Sequence, residues 1–274
     1  MEGNRKAAKR IKTMSLVYRY RFGILALTVV GFVLVWDVLS LMINNADAIA
    51  SPGGTLQSFY LMTYNPLIHS ELVSALQVTM MEIFEGFAIA AVVGIPVGFL
   101  MGRYLLVDYF LDPWVNAWYS IPVIAFVPLV MNWFGQSYTA TMLVAFLVAT
   151  FSIMINVYTG VKNVSASLVE PGMSYGANGT QLMSKIILPA SLPDIMVGLR
   201  LGISRAIDGV IIAQMIFAIA GLGGEIFIAA DHVRLSLAVG YLIILAMISI
   251  ILNETMKYIT RKAVAWKESA AMSR

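Results

Sequence analysis

At 274 residues, with 59% hydrophobic and 12% charged side chains, the chain carries too much apolar surface for a water-soluble domain of its size. It has no cysteine, which excludes disulfides, thiolate metal sites and cysteine nucleophiles, and two histidines, His69 and His232, are too few for an imidazole metal cluster. The net charge of +3 is small, and its uneven distribution along the chain is explained by membrane topology, so no nucleic-acid partner is expected.

Residues 1–22 read as a basic tail with seven Lys or Arg. The apolar run that follows has full spanning length and no small-residue cleavage pattern, so it reads as an uncleaved anchor and not as a signal peptide. Six such runs follow one another: Gly23–Ile43, Ser74–Met101, Trp114–Phe134, Thr139–Gly160, Met196–Ala220 and Leu235–Tyr258. The predicted fold class is an all-α integral membrane protein with six transmembrane helices, its membrane domain covering residues 23–260 and a short tail covering 261–274.

The connections differ in charge. Residues 44–72 and 135–138 hold no Lys or Arg, and 221–234 hold only Arg234. On the other side lie the seven basic residues of the tail, Arg103, Lys162 and Lys185, and five more from Lys257 onward. Fifteen against one places both termini in the cytoplasm by the positive-inside rule, in a multi-pass inner-membrane arrangement. Within 44–72, Ser51-Pro52-Gly53-Gly54 reads as a turn cluster, followed by an aromatic stretch suited to the outer interface.

The cytoplasmic segment 161–195 is too long for a plain connector and is neither low-complexity nor strongly charged, so it is expected to fold against something. Leu182, Met183, Ile186 and Ile187 form an apolar stripe at helical spacing, and Pro189 is predicted to end that helix. Glu170, Gly176, Ile186, Leu188 and Pro189 stand in the spacing E-x5-G-x9-I-x-L-P. This resembles the EAA loop of ABC importer permeases. The resemblance extends over roughly residues 65–258 and narrows to the nitrate, sulfonate, taurine and bicarbonate branch. It is carried by Gly86-Phe87, Gly94-Ile95-Pro96-Val97-Gly98 and Gly102, and by Pro122, Pro128-Leu129 and Trp133-Phe134-Gly135. Asn156, Gly160, Gly198-Leu199-Arg200, Arg205 and Gly221-Leu222-Gly223 complete it. Most of these glycines and prolines also have a packing explanation, since small residues let membrane helices approach and Pro is tolerated there.

The resemblance implies a type I ABC importer permease fold with an N-terminal helix and a five-helix core. It also implies a second permease copy, two ATP-binding subunits that hold ATP and Mg, and an extracytoplasmic substrate-binding protein, with no cofactor in this chain and no catalytic residue. Glu170, Gly176, Thr180, Leu182, Met183, Ile186, Leu188 and Pro189 would then couple to the ATP-binding subunit. The chain departs from the family pattern in three places. Glu170-Pro171-Gly172 replaces Glu-Ala-Ala, and Pro171 is comfortable only in a first helical turn, so the coupling helix is expected to begin later. Glu82 stands where the branch has Arg, and Gln214 where it has Glu; if the two face each other, the exchange avoids an unpaired buried charge.

Ionisable groups inside spans usually face a bundle interior or a wet path. Asp37 reads as a structural polar contact with a neighbouring helix. Glu82 and Glu85 are three apart, on one helical face, and lining a path or pairing with Arg205 is the expected role; no nucleophile or cofactor motif accompanies them for acid–base work. Arg205 and Asp208 are also three apart, and Arg205 reads equally as half of a local ion pair or as a substrate contact. With Tyr119, Pro122, Asn156 and Gln214, these residues are the candidates for a translocation path. Gly221-Leu222-Gly223-Gly224 lacks the Lys-Ser/Thr of a phosphate-binding loop, so energy must come from another subunit. The expected substrate is a small anion such as nitrate, a sulfonate, taurine, bicarbonate or an aromatic acid. The alternatives are a neutral or cationic vitamin-precursor heterocycle, and a proton-driven secondary transporter using Glu82, Glu85 and Asp208.

Overall fold

The computed structural model describes residues 20–43, 45 and 48–272, and every regular element among them is a helix. The predicted basic tail lies outside the described residues as far as position 19. Among the described residues five helices are long and apolar enough to cross a bilayer, and a sixth crossing is made if a bent pair counts as one span.

Helix α1 (Arg21–Ile43) turns most of its apolar surface outward from Gly23 to Ile43. Trp36 ties it to the rest, its indole Nε1 donating to the carbonyl of Ala50 at 2.7 Å. The Ser51-Pro52-Gly53-Gly54 cluster starts a helix, α2 (Pro52–Tyr64), and is not a turn. Ser51 accepts from the amide of Gly54 at 3.0 Å as N-cap, and Pro52 at the first helical position lacks only a donor that would have no partner there. Asn65 and Pro66 repeat the device to start α3 (Pro66–Arg103), which therefore begins eight residues before the apolar run and reaches 38 residues.

The predicted third span is broken. Helix α4 (Leu105–Ser120) and helix α5 (Val123–Phe134) meet at 100° across Ile121 and Pro122. Pro122 supplies no amide donor and disfavours helical geometry in the residue before it, and Ile121 is accordingly extended at φ −78°, ψ 129°. Tyr104, also extended, is all that remains of the expected link before Pro113.

Helix α6 (Tyr138–Lys162) is the hub, packed along its length on α3 and on α9 (Leu188–Phe217). Gly86, Ala90, Gly94, Gly98 and Gly102 recur every four residues, so they form one small-residue stripe along α3. A side chain added at Gly86 would stand 2.9 Å from the carbonyl oxygen of Met142, at Gly94 3.1 Å from that of Thr150, and at Gly98 closer still to that of Met154. The packing explanation of these glycines therefore holds. Replacing Gly98 by Leu is expected to lower stability by on the order of 3 kcal/mol, because the obstacle is backbone that cannot step aside. Thermal unfolding of the detergent-purified protein checks this, and an unchanged midpoint would contradict the tight seam.

Helix α7 (Ala166–Ser174) is followed by α8 (Gly179–Leu182), a π-turn (Met183–Ile187) and α9 without interruption. Pro189 thus does not end the helix. The amide of Leu188 bonds five residues back to Met183, and this wider turn leaves space for the proline ring that follows. The loop expected over 221–234 contains a half-buried helix, α10 (Leu222–Asp231), and α11 (Leu235–Met272) closes the bundle. Ile83, Ala90, Ile153, Val157, Ile203, Ala206 and Val210 are at most 1% exposed and mark the core between α3, α6 and α9.

Candidate functional site

At one end of the bundle the 163–187 segment forms a compact helical elbow. Helix α7 closes with Gly176 in left-handed conformation at φ +77°. The amide of Gly176 bonds the carbonyl of Met173 at 2.9 Å, and that of Ala177 bonds Gly172 at 3.0 Å. This pair of bonds satisfies the terminal carbonyls of α7 and requires glycine at 176, which explains the glycine of the spacing motif. Asn178 then opens α8 through a reciprocal cap: its Oδ1 accepts from the amide of Gln181 at 2.9 Å, and Gln181 Oε1 accepts from the backbone amide of Asn178 at 3.0 Å.

Two expectations for this segment need correction. Helix α7 starts at Ala166, before Pro171, which sits inside it; Ser167, whose carbonyl the missing donor would have met, is exposed and accessible to water. Within the stripe, Leu182 is buried and Ile186 half-buried, so these two do not present a wholly outward face. Gly172 has no side chain, and Ile186 Cδ1 and Leu182 Cδ2 fill the space beside it, so the stripe packs α8 onto α7, with Leu182 6% exposed. Glu170, Gly176, Thr180, Leu188 and Pro189 do face outward. So do three apolar residues that the sequence reading passed over: Leu168, Met173 and above all Tyr175, which is 93% exposed. Their signal was weak, since none falls on the helical stripe.

A second site lies midway along the bundle, where the α4–α5 break leaves a cavity of about 230 Å³ against α6 and α9. It brings together three of the predicted path residues, Tyr119, Pro122 and Arg205. Trp118, Phe126 and Phe151 add a near-parallel ring stack, with centroids 5.0 and 5.8 Å apart, that sequence periodicity did not single out. Arg205 Nη1 stands 3.7 Å from Asp208 Oδ2 and both side chains are about half exposed, a loose pair within one helix. Asp208 itself borders a separate groove between α9 and α11.

Residues 94–263 match a protein family described as the binding-protein-dependent transport system inner membrane component. The chain belongs to that family. It is 31% identical to a protein of Methanocaldococcus jannaschii named as an ABC transporter permease, over 94% of this chain and 95% of that one. It is 30% identical to a formylaminopyrimidine transport permease of Halalkalibacterium halodurans (69% and 74% covered) and 29% identical to the taurine transport permease of Escherichia coli (65% and 64%). In fold it is similar to a chain of the MetNI methionine ABC transporter, with a TM-score of 0.62 at 19% identity over 72% of this chain and 98% of that one. The protein is thus a transport subunit of an ABC importer with the type I permease fold.

The remaining path candidates of this permease sit away from the cavity. Glu82 (1% exposed) and Gln214 (0%) are interior residues of the single subunit and do not line an opening. They do face each other: Gln214 Nε2 donates to Glu82 Oε2 at 2.7 Å. Thr79, one turn before Glu82 and unnoticed in the sequence, joins them, accepting from Gln214 Nε2 at 3.1 Å and from the amide of Leu222 at 2.9 Å. Gln214 Oε1 also accepts from the amide of Gly223 at 2.9 Å. The network therefore holds the first amides of α10, which no intrahelical carbonyl can satisfy, against α3 and α9. Gly221, at φ +129°, lies so close to the Gln214 amide that a side chain has no place there.

Glu85 is exposed while Glu82 is buried, and the ion-pair partner of Arg205 is Asp208, not either glutamate. Asn156 donates to the carbonyl of Ser152 at 2.8 Å and lies against Gly198, fixed in the α6–α9 contact. One ion pair was invisible in the sequence. Lys162, the last residue of α6, bonds Asp108 of α4 at 2.8 Å and also the Tyr158 hydroxyl.

Proposed function

We propose that this permease imports a small anion by alternating access, with the 163–187 elbow seated on a cytoplasmic ATP-binding subunit. Two copies of the chain would enclose the path. Two ATP-binding subunits carrying ATP and Mg would supply the energy, and an extracytoplasmic binding protein would deliver the ligand. The charge asymmetry of the connections supports the orientation, with both termini and the elbow in the cytoplasm of an inner membrane.

The observation that carries this reading is helical continuity. From Gly179 the chain runs through the π-turn into α9 and reaches Arg205 without leaving helical structure. The 26 steps from Gly179 to Arg205 span about 39 Å at 1.5 Å each, so one element joins the elbow to the central cavity. Closure of the ATP-binding subunits would drive the elbows together and shift α9 between two arrangements that differ in their contacts.

Tyr175 gives the direct test. The chain has no cysteine, so Tyr175→Cys introduces a single reactive thiol at the most prominent point of the elbow. In the assembled transporter a short bifunctional reagent should join it to the ATP-binding subunit, with a yield that changes on nucleotide binding. Free reaction with a bulky maleimide in the intact complex, with no cross-link, would overturn the docking. A neutral heterocycle is the second reading of the cargo, favoured by similarity to the formylaminopyrimidine permease.

A further inference from the structure

The central cavity has a composition that selects among cargoes, and on this basis we propose that it is a transmembrane subsite for an organic anion with a flat or apolar body. The inference rests on the permease reading and deepens it. Among the described residues Arg205 is the one charged side chain lining the cavity, and its loose pairing with Asp208 leaves most of its fork of donors available. A planar guanidinium matches the oxygens of a carboxylate or sulfonate two at a time. The same cavity is lined by the ring stack of Trp118, Phe126 and Phe151, in which Trp118 remains 40% exposed. Such a wall adds binding only to a ligand with a body to lay against it.

Size limits the ligand as well. At about 230 Å³ the cavity holds the volume of roughly eight waters, below the range of drug-sized sites. A bare inorganic anion would use Arg205 and leave the rings in water. A cation would meet Arg205 at close range. A neutral heterocycle would stack but leave the guanidinium without an anionic partner beyond Asp208. Position agrees with a place on a path: Arg205 is 17 residues from the start of α9 and 12 from its end, near the middle of the bilayer.

The test uses the complete permease–ATPase complex in nanodiscs, without binding protein, titrated calorimetrically with benzenesulfonate, nitrate, benzylammonium and 4-aminopyrimidine. Benzenesulfonate should bind saturably and at least tenfold more tightly than the other three. Arg205→Gln should weaken it tenfold or more, and Arg205→Lys should restore part of the loss. Trp118→Leu should weaken benzenesulfonate while leaving the weak nitrate response unchanged. Unfolding midpoints of the variants show that each is folded; if Arg205→Gln does not assemble, the Trp118→Leu selectivity decides alone. Nitrate binding as well as benzenesulfonate, aminopyrimidine binding that ignores Arg205, or no binding by the native complex would each overturn the subsite. A Tyr175→Cys cross-link that still forms in those cases confines the failure to the subsite, whereas its loss removes the permease coupling beneath it.

Discussion

Replacing Gln214 by Glu is expected to be the most destabilising single change in the bundle, costing about 3–5 kcal/mol. The new carboxylate would stand at the present 2.7 Å contact with Glu82, in a site where both side chains are at most 1% exposed. It would also remove the amide donor from which Thr79 now accepts. Adding Glu82→Arg should recover at least half of the loss by converting repulsion into a hydrogen-bonded ion pair. Recovery stays incomplete because the longer side chain must enter a packed core. Thermal unfolding and uptake, measured on both single variants and the double, form a cycle that isolates the pair. Equal damage in the double and the singles would mean that the two positions do not act together.

The second large effect falls on coupling. Gly176→Trp places a bulky ring in left-handed backbone at the corner of the elbow, where nothing lies within 4 Å. The folding cost is local, about 1–2 kcal/mol, so the bundle should assemble. Substrate uptake in proteoliposomes supplied with binding protein should nevertheless fall more than tenfold while ATP hydrolysis continues. Deleting residues 181–187 should have the stronger effect, because it removes the stripe that packs α8 on α7 together with the π-turn. An unchanged ratio of ATP hydrolysed to substrate imported would show that the elbow transmits nothing.

Much of this structure was legible in the sequence because a membrane imposes a simple length rule: apolar runs of about 20 residues marked the crossings. That Glu82 and Gln214 face each other was also legible, because both positions depart from the same family pattern. Other features were not. Trp114–Phe134 reads as one unbroken apolar run, and only the backbone constraint of Pro122 reveals two helices in it. Pro189 reads as a stop, because a sequence gives no sign of the π-turn that accommodates it. Glu82 and Glu85 share a helical face by spacing, yet the border between core and surface falls between them, and that border depends on what α6 and α9 bring. The cavity's ring stack joins α4, α5 and α6 across the break, so no local period announces it.

The glycine stripe of α3 has a consequence for which parts of the permease are free to move. Where these glycines rest on α6, their contacts are backbone, the methyl of Ala145 and the β-branched Ile153, Val157 and Val161, so little can change rotamer, and a sliding step would cost contact along the entire seam. Helices α3 and α6 should therefore travel as one rigid body, with α9 carried beside them. Helix α4 is held differently: an extended residue sits at each of its ends, Tyr104 and Ile121, and the Lys162–Asp108 bond pins it to the seam near its start. Its far end carries Trp118 and Tyr119 into the central cavity. This arrangement should let α4 swing as a flap, held near its start by that bond, against a frame that moves as a unit.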